Sequence, residues 1–326
     1  MSSFKPAVLA GICLAAAGPA GIAAAADFPN RSLRMVVPFA PGGASDVVAR
    51  VIQPAYVARL GQQMVIDNRS GAAGNIGVEV TVRANADGYT LLLGNSGTMA
   101  INPVYFTKFP YRPLKDLAPI TQLVDVAGAV VVHPSIPAKS IKELVAHLKA
   151  NPGKLNYGAA APSGPNTLDT LMFMSMTGTT ATQIAYKGGA GPAAIGLMAN
   201  EVQFSFSQVA STIGFTKAGR MRMVAVIAPE RSKALPDVPT LRESGYDMVV
   251  GAWQGLFAPA GTPAPVINAL YKASLDAMCN SNVVNRLDEL GVTIVTSRNI
   301  AEFAAFVKSE TARYGKVISD WKIQTE

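Results

Sequence analysis

Short apolar runs alternate along this chain with longer segments in which apolar residues recur every three or four positions. The short runs predict buried β-strands, and the longer segments predict amphipathic helices. The predicted strands cover residues 33–37, 64–67, 90–94, 129–132, 155–157, 183–185, 204–206, 224–227 and 255–258. The predicted helices cover residues 45–60, 76–83, 141–150, 167–177, 192–199, 209–218, 264–279, 282–290 and 300–318. This alternation predicts an α/β protein with mixed, mostly parallel sheets and helices on both faces.

Two predicted helices carry sequence signals, one for an N-terminal cap and one for a kink. Ser140 precedes a helical pattern and Glu143 follows three residues later, which is the spacing of a capping box. Pro54 falls inside the first long helix, where the missing N–H group predicts a kink.

The first 26 residues have the pattern of a signal peptide. Lys5 supplies the positive charge, Ala7–Ala17 is almost wholly apolar, and Ala23–Ala26 offers a cleavage site near Ala26, before Asp27. The alternative is an uncleaved membrane anchor, for which the apolar run is short. Cleavage of 26 of the 326 residues leaves 300, enough for two domains. We therefore expect an exported, periplasmic protein.

Composition narrows the classes of partner and of chemistry. The formal net charge is +7, yet aromatic residues make up only 7% and no basic block stands out, so we expect no nucleic-acid partner. The two histidines lie in no nucleophile, metal or acid–base motif, which argues against an enzyme and predicts no metal or cofactor. Cys279, the one cysteine after cleavage, is expected to be a buried small hydrophobe without a disulfide partner.

Glycine, serine and threonine are concentrated in four turns, at 38–45, 95–98, 159–167 and 186–191. In an α/β sheet, ligands bind beyond the carboxyl ends of the strands, where such turns lie. Backbone N–H groups that open a helix attract anions. Taken singly, each turn is explained as well by simple chain reversal. Together they predict a site for a small negatively charged molecule.

At these residues the chain resembles a known family, the Bug family of periplasmic solute receptors of tripartite tricarboxylate transporters. The resemblance runs from about Phe28 to the C-terminus. It is carried by the strings VVPFAPGGASDVVAR, LGQQMVIDNRSGAAGNIG, ADGYTLLLGNSGTMAINP, IPAKSIKELVAHLKANPGKLNYG, YKGGAGPA, ALPDVPTLRESGY and GLFAPAGTPAPVI.

The resemblance implies a two-lobed clamshell that closes over its ligand. One lobe would comprise residues 27–124 and 251–326, and the other residues 125–250. It further implies a non-catalytic, monomeric receptor for a small organic carboxylate, either a di- or tricarboxylate or an aromatic acid such as terephthalate. Its partners would be the membrane subunits of a tripartite tricarboxylate-type transporter. The alternative is a sensory receptor whose ligand-bound state engages a signalling partner.

The ligand-binding residues implied by these turns and by the resemblance lie in both lobes. They are Phe39, Ala40, Pro41, Gly42, Gly43, Asp46, Ser96, Thr98, Ser163, Gly164, Asn166, Thr167, Tyr186 and Gln208. Simpler roles compete at several positions: Asp46 could complement the helix dipole or order the turn, and Thr98 could close a local turn. Lys187 and Trp253 are left open, with solvation and core packing as their ordinary roles.

Two departures from the family bear on the ligand. Asn166 and Thr167 stand where relatives commonly have Ser-His, so a hydroxyl replaces a ring donor. Ser207 and Gln208 stand where many relatives have an acidic residue and Asn. Loss of that carboxylate favours an anionic ligand without an ammonium group.

Overall fold

The computed structural model describes residues 28–159, 164–248, 252–321 and 323, so the predicted signal peptide lies outside the described residues. The strands of this part of the chain are β1 (Leu33–Val37), β2 (Met64–Asn68), β3 (Thr90–Asn95), β4 (Leu117–Val126), β5 (Gly128–Val132), β6 (Asn156–Ala159), β7 (Thr182–Ala185), β8 (Phe204–Gln208), β9 (Arg222–Ile227), β10 (Ala252–Pro259) and β11 (Val292–Ile294). They form two sheets, one in the order β11-β4-β10-β3-β1-β2 and one in the order β7-β6-β8-β5-β9.

Helices follow most of the strands and cover the sheets. They are α1 (Ala44–Leu60), α2 (Asn75–Val82), α3 (Asn102–Tyr105), α4 (Pro113–Asp116), α5 (Ile141–Ala150), α6 (Pro165–Thr177), α7 (Ala190–Met198), α8 (Val209–Lys217), α9 (Ala264–Met278), α10 (Ser281–Glu289) and α11 (Ile300–Asp320). A 3₁₀ turn at Ala72–Gly74 and a π-helical turn at Gly97–Ile101 complete the set. The α/β class is confirmed.

The sheets are mixed, but they are not mostly parallel. The pairs β1–β2, β1–β3, β6–β7 and β6–β8 are parallel, and the other five described pairings are antiparallel. The antiparallel pairings all involve β4, β5, β9 or β10, the strands that flank the two passages of the chain between the sheets. The expectation of parallel pairing holds for the strands β1 to β3 and for the strands β6 to β8.

The chain passes between the sheets twice. Ala127 alone separates β4 in the first sheet from β5 in the second, and residues 228–251 lead back from β9 to β10. We call the first sheet with its helices the first lobe, and the second sheet with α5–α8 the second lobe. The predicted boundaries at 124/125 and 250/251 remain a proposal, and the first sheet extends to Val126.

The longest strand, β4, is absent from the sequence-based prediction because Pro119 interrupts its apolar run. In the structure Pro119 pairs with Phe257 at an irregularity in the β4–β10 register, where a proline is tolerated. The helix α1 continues through Pro54, which lies inside it, and the kink at Pro54 stays a prediction. The capping box at α5 is confirmed on one side, since the Glu143 N–H group donates to Ser140 Oγ at 3.2 Å.

Cys279 corrects another expectation. It is the residue after α9 and is exposed, rather than buried within the helix. The α9 face that packs inward ends at Ala277 and Met278. The next position of the chain therefore turns away from the core.

Candidate ligand-binding site

A small cavity of about 60 Å³ lies between the lobes, beyond the carboxyl ends of strands from both sheets. Its walls come from the starts of α1, α6, α7 and α8 and from two turns of the first lobe. The lining residues are Phe39, Gly43, Ala44, Ser45, Ala73, Asn95, Gly97, Asn102, Gly164, Pro165, Asn166, Thr167, Ala190 and Gln208. The structure thus brings together six of the predicted residues: Phe39, Gly43, Gly164, Asn166, Thr167 and Gln208.

The four helices that open onto this cavity begin without a side-chain cap. Three of the N-cap residues are glycines, which have no side chain that could cap a helix: Gly43, Gly164 and Gly189. The fourth is Gln208, and its side chain makes no capping hydrogen bond to α8. The first N–H groups of an α-helix have no partner within the helix, and the helix dipole places partial positive charge there. Four such ends directed at one cavity make it favourable for an anion.

Glycine is required where the two lobes meet. The Ala40 N–H group donates to the carbonyl oxygen of Gly188 at 2.8 Å, which joins the turn before α1 to the turn before α7. A Cβ atom at Gly191 would lie 2.5 Å from the Pro41 carbonyl oxygen, closer than packed atoms allow. The described conformation is therefore one in which the lobes touch.

Two side-chain amides add donors to the cavity. Asn166 and Gln208 both line it, and within the described residues neither amide group has a hydrogen-bond partner. Asn95 Nδ2 donates to Ser45 Oγ at 3.4 Å, and both of those residues also line the cavity. No lysine or arginine is among the described lining residues, so backbone and neutral side-chain groups supply the positive potential.

Asp46 lies behind the cavity and holds the first turn in place. Its carboxylate accepts hydrogen bonds from the Gly42 N–H group at 3.0 Å, from Asn68 Nδ2 at 3.1 Å and from Arg50 Nε at 3.0 Å. Burial raises the pKa of this carboxyl, but the hydrogen bonds from Arg50, Gly42 and Asn68 outweigh it, so the pKa lies below its ordinary value. Of the roles considered for Asp46, the geometry matches ordering of the turn. Gly42 and Pro41 are exposed parts of that turn and do not line the cavity.

Thr98 and Ser96 are also buried behind the lining. Thr98 Oγ1 accepts from the Asn95 N–H group at 3.2 Å, and the Thr98 N–H group donates to Asn95 Oδ1 at 3.0 Å. Thr98 therefore closes a local turn, which is the simpler of its two predicted roles. Ser96 is fully buried beside the Tyr314 hydroxyl. Both residues shape the turn that presents Asn95 and Gly97 to the cavity.

A wider groove of about 1080 Å³ lies next to the cavity, and Phe39 and Ala73 line both. Ala40, Tyr186 and Lys187 line this outer groove and not the inner cavity. The Tyr186 hydroxyl donates to Glu201 Oε2 at 2.9 Å, and burial together with that carboxylate raises the pKa of Tyr186 to about 12.

Trp253 is 1% exposed and its Nε1–H group donates to Glu310 Oε2 at 3.0 Å, so it packs in the core. Ser163 lies outside the described residues.

Several lining residues were not predicted, and some had a signal in the sequence. Ala73 belongs to the turn 71–74, in which Ala72 and Ala73 have φ values of 46° and 54°, unusual for residues with a Cβ atom. The Gly-rich string around it was noticed without being assigned to the site. Ser45 and Asn95 flank predicted turn residues directly, whereas Asn102 reaches the cavity only through a π-helical turn.

Other kinds of site have little support in the part of the chain that the structure describes. It contains no group of three or more His, Cys, Asp and Glu side chains placed to hold a metal ion. None of its helices is both long enough and apolar enough to span a membrane.

Comparisons with known proteins agree with this architecture. A family model described as "Tripartite tricarboxylate transporter family receptor" matches residues 48–323. The chain is 34% identical to Protein BugT of Bordetella pertussis over 312 residues, which cover 95% of each chain. The R. palustris protein Rpa4515, solved with adipate, superposes with a TM-score of 0.88 at 30% identity over 91% of this chain and 99% of that one. MatC from Rhodopseudomonas palustris, solved with bound malate, gives a TM-score of 0.84 at 32% identity over 89% and 100%.

Fold and site together define a two-lobed α/β solute-binding receptor, with its cavity between the lobes. The chain belongs to the family of tripartite tricarboxylate transporter receptors, and the resemblance to Bug proteins is confirmed. This family and the solved neighbours are solute-binding proteins rather than enzymes.

Proposed function

We propose that this protein captures a small organic carboxylate in the periplasm and delivers it to the membrane subunits of a tripartite tricarboxylate-type transporter. The observation that carries the proposal is the convergence of four uncapped helix N-termini on one cavity. A buried carboxylate is costly unless hydrogen bonds replace its water. N–H groups at these helix starts and the amides of Asn166 and Gln208 can supply such hydrogen bonds without an arginine or lysine.

The proposed ligand class is an acid without an ammonium group. The described cavity lining contains no aspartate or glutamate that could pair with an ammonium group. Ser207 and Gln208 stand where many relatives have an acidic residue and Asn. Relatives solved with adipate and with malate bind acids of this class. The inner cavity is much smaller than the outer groove beside it, so the rest of a longer acid would extend toward Phe39 and the outer groove.

Export rests on the sequence of residues 1–26 and on the family. A signal peptide cleaved near Ala26 would place the receptor in the periplasm, where such receptors meet their transporters. Closure of the lobes over the ligand would give the membrane subunits a surface that the open form lacks.

The test is a thermal-shift titration of the purified protein with adipate, malate and terephthalate, before and after unfolding and refolding to remove any copurified ligand. An acid at about 100 times its dissociation constant should add about 2.7 kcal/mol to the free energy of unfolding. Gln208→Met should weaken the shift, and Gln63→Met, an exposed position outside the cavity, should not. Absence of any shift with every acid, in refolded protein, would contradict the proposal.

A further inference from the structure

A carboxyl group lacking a partner at one of its oxygens is buried between the lobes, close to the cavity. Asp169 follows the lining residue Thr167 by two positions in α6. Only 1% of Asp169 is exposed, and within the described residues its Oδ1 atom has no hydrogen-bond partner. Its neighbour Leu168 belongs to an apolar cluster with Leu92 and Trp253 of the first lobe. This part of α6 is thus packed against the opposite lobe.

Within the described residues, the titratable groups that interact with Asp169 lie on one element, α11 of the first lobe. Arg313 and Tyr314 interact electrostatically with the Asp169 carboxyl. Arg313 is already paired, since its Nε and Nη2 atoms donate to Glu310 at 2.6 and 2.8 Å. The strand β8, against which α6 also packs, carries no titratable residue. The guanidinium that faces Asp169 is therefore largely neutralised by Glu310.

This environment disfavours an ionised carboxyl. Burial raises the pKa of Asp169 well above its ordinary value, and the attraction of Arg313 offsets only part of that rise. The burial depends on contact between the lobes, because Leu168 on α6 of the second lobe shares an apolar cluster with Val307 and Tyr314 on α11 of the first. When the lobes separate, water reaches the carboxyl, and its pKa returns toward the ordinary value of about 4.

We propose that closure of the lobes around the ligand takes up one proton from solution, which the Asp169 carboxyl holds between α6 and α11. The proposal rests on the proposed function for its ligand, and it adds a coupling between carboxylate capture and pH. The sign follows from linkage: closure is most favourable below the pKa of the open form. It weakens as pH rises through the interval up to the higher pKa of the closed form. Acidification therefore strengthens binding of an acid that stays fully ionised.

Calorimetric titration with adipate in two buffers of different ionisation enthalpy measures this proton directly. Near neutral pH both adipate carboxylates are ionised, so protons taken up on binding come to the protein. We expect uptake of up to one proton per adipate and, over the pH range of that uptake, a dissociation constant that rises up to about tenfold per pH unit. Asp169→Asn should abolish both effects, and Asp169→Ala provides a second variant in case the amide disturbs packing.

The matched control is Asp125→Asn. Asp125 is a half-buried carboxyl whose pKa is also raised, by burial and by Glu310, but it lies on β4 in the same lobe as α11. Its surroundings should change little on closure, so this variant should keep the proton uptake. Adipate binding without proton uptake, or uptake retained in Asp169→Asn, would overturn the inference.

A second measurement separates this inference from the proposed function. Denaturant unfolding of wild type and Asp169→Asn at pH 6 and pH 8, with and without saturating adipate, compares their free energies of unfolding. With adipate the lobes are closed and the wild-type carboxyl is held protonated, so the free energy of unfolding of the variant relative to wild type should rise with pH. Without adipate the carboxyl meets water, and the difference between the two proteins should be the same at both pH values. A difference that does not change with pH in the presence of adipate would refute the role of Asp169, whereas absence of adipate binding would refute the proposed function.

Discussion

Gly191→Ala should separate the stability of the protein from its ability to close. Gly191 lies in the first turn of α7, and an added Cβ atom would stand 2.5 Å from the Pro41 carbonyl oxygen of the other lobe. Because that oxygen belongs to the backbone, no side-chain rotation relieves the clash. The conflict exists only where the lobes touch. The open form should tolerate alanine, and the closed form should not.

The size of the effect follows from the cost of overpacking. An extra methyl group in a well-packed contact costs about 1–3 kcal/mol. Since about 1.4 kcal/mol corresponds to a factor of ten, the dissociation constant of the bound acid should rise about 5- to 150-fold. In the open form, alanine in place of glycine within a helix should stabilise by about 0.5–1 kcal/mol.

Calorimetric titration gives the affinity, and denaturant unfolding gives the stability of the same preparation. The control is Gly214→Ala in α8, where an added Cβ atom meets nothing within 4 Å. That variant should gain stability and keep its affinity. Unchanged affinity in Gly191→Ala would refute the reasoning, because it would mean that binding does not need the contact between these two turns.

Three further outcomes follow from the described contacts. Asp46→Ala should lower the free energy of unfolding by about 1–3 kcal/mol, since the carboxylate accepts several hydrogen bonds. Because the pKa of Asp46 is lowered in the folded protein, the difference in free energy of unfolding between variant and wild type should shrink below about pH 4 in acid-unfolding curves. Trp253→Phe should cost about 1–3 kcal/mol in denaturant unfolding by leaving Glu310 without the indole donor, with acid affinity retained. Cys279, being exposed, should react with a thiol reagent in the native protein at a rate close to that of a free thiol, and slow modification would contradict its position.

Much of the fold was accessible from the sequence because strand and helix periodicities are local. The turn from Phe39 to Gly43 was identified from its glycines, and the structure places it at the cavity. The strand β4 was missed because Pro119 reads as an interruption, and only pairing with β10 reveals that the register accommodates it. Cys279 was misplaced by a single helix position, which decides whether a side chain faces the core or the solvent.

The candidate site was harder to predict than the fold, since side-chain direction depends on tertiary contacts. Asp46 and Thr98 have the right chemistry and lie in the right turns, yet Arg50, Asn68 and Asn95 occupy their hydrogen-bonding atoms. Those partners lie three to 22 positions away in the chain. Asp169 gave no signal at all, because its significance arises from a helix that lies more than a hundred residues further along the sequence.

The uncapped helix starts around the cavity have a consequence for how such receptors diversify. A peptide N–H group belongs to every residue except proline, so point mutations at these turns leave the anion-binding groups in place. Substitutions such as those at Asn166 and Gln208 can then alter the fit of the remaining part of the ligand while the hold on its carboxylate persists. Under the proposed function, receptors with this arrangement would change their ligand by single substitutions, and each intermediate protein would still bind an acid.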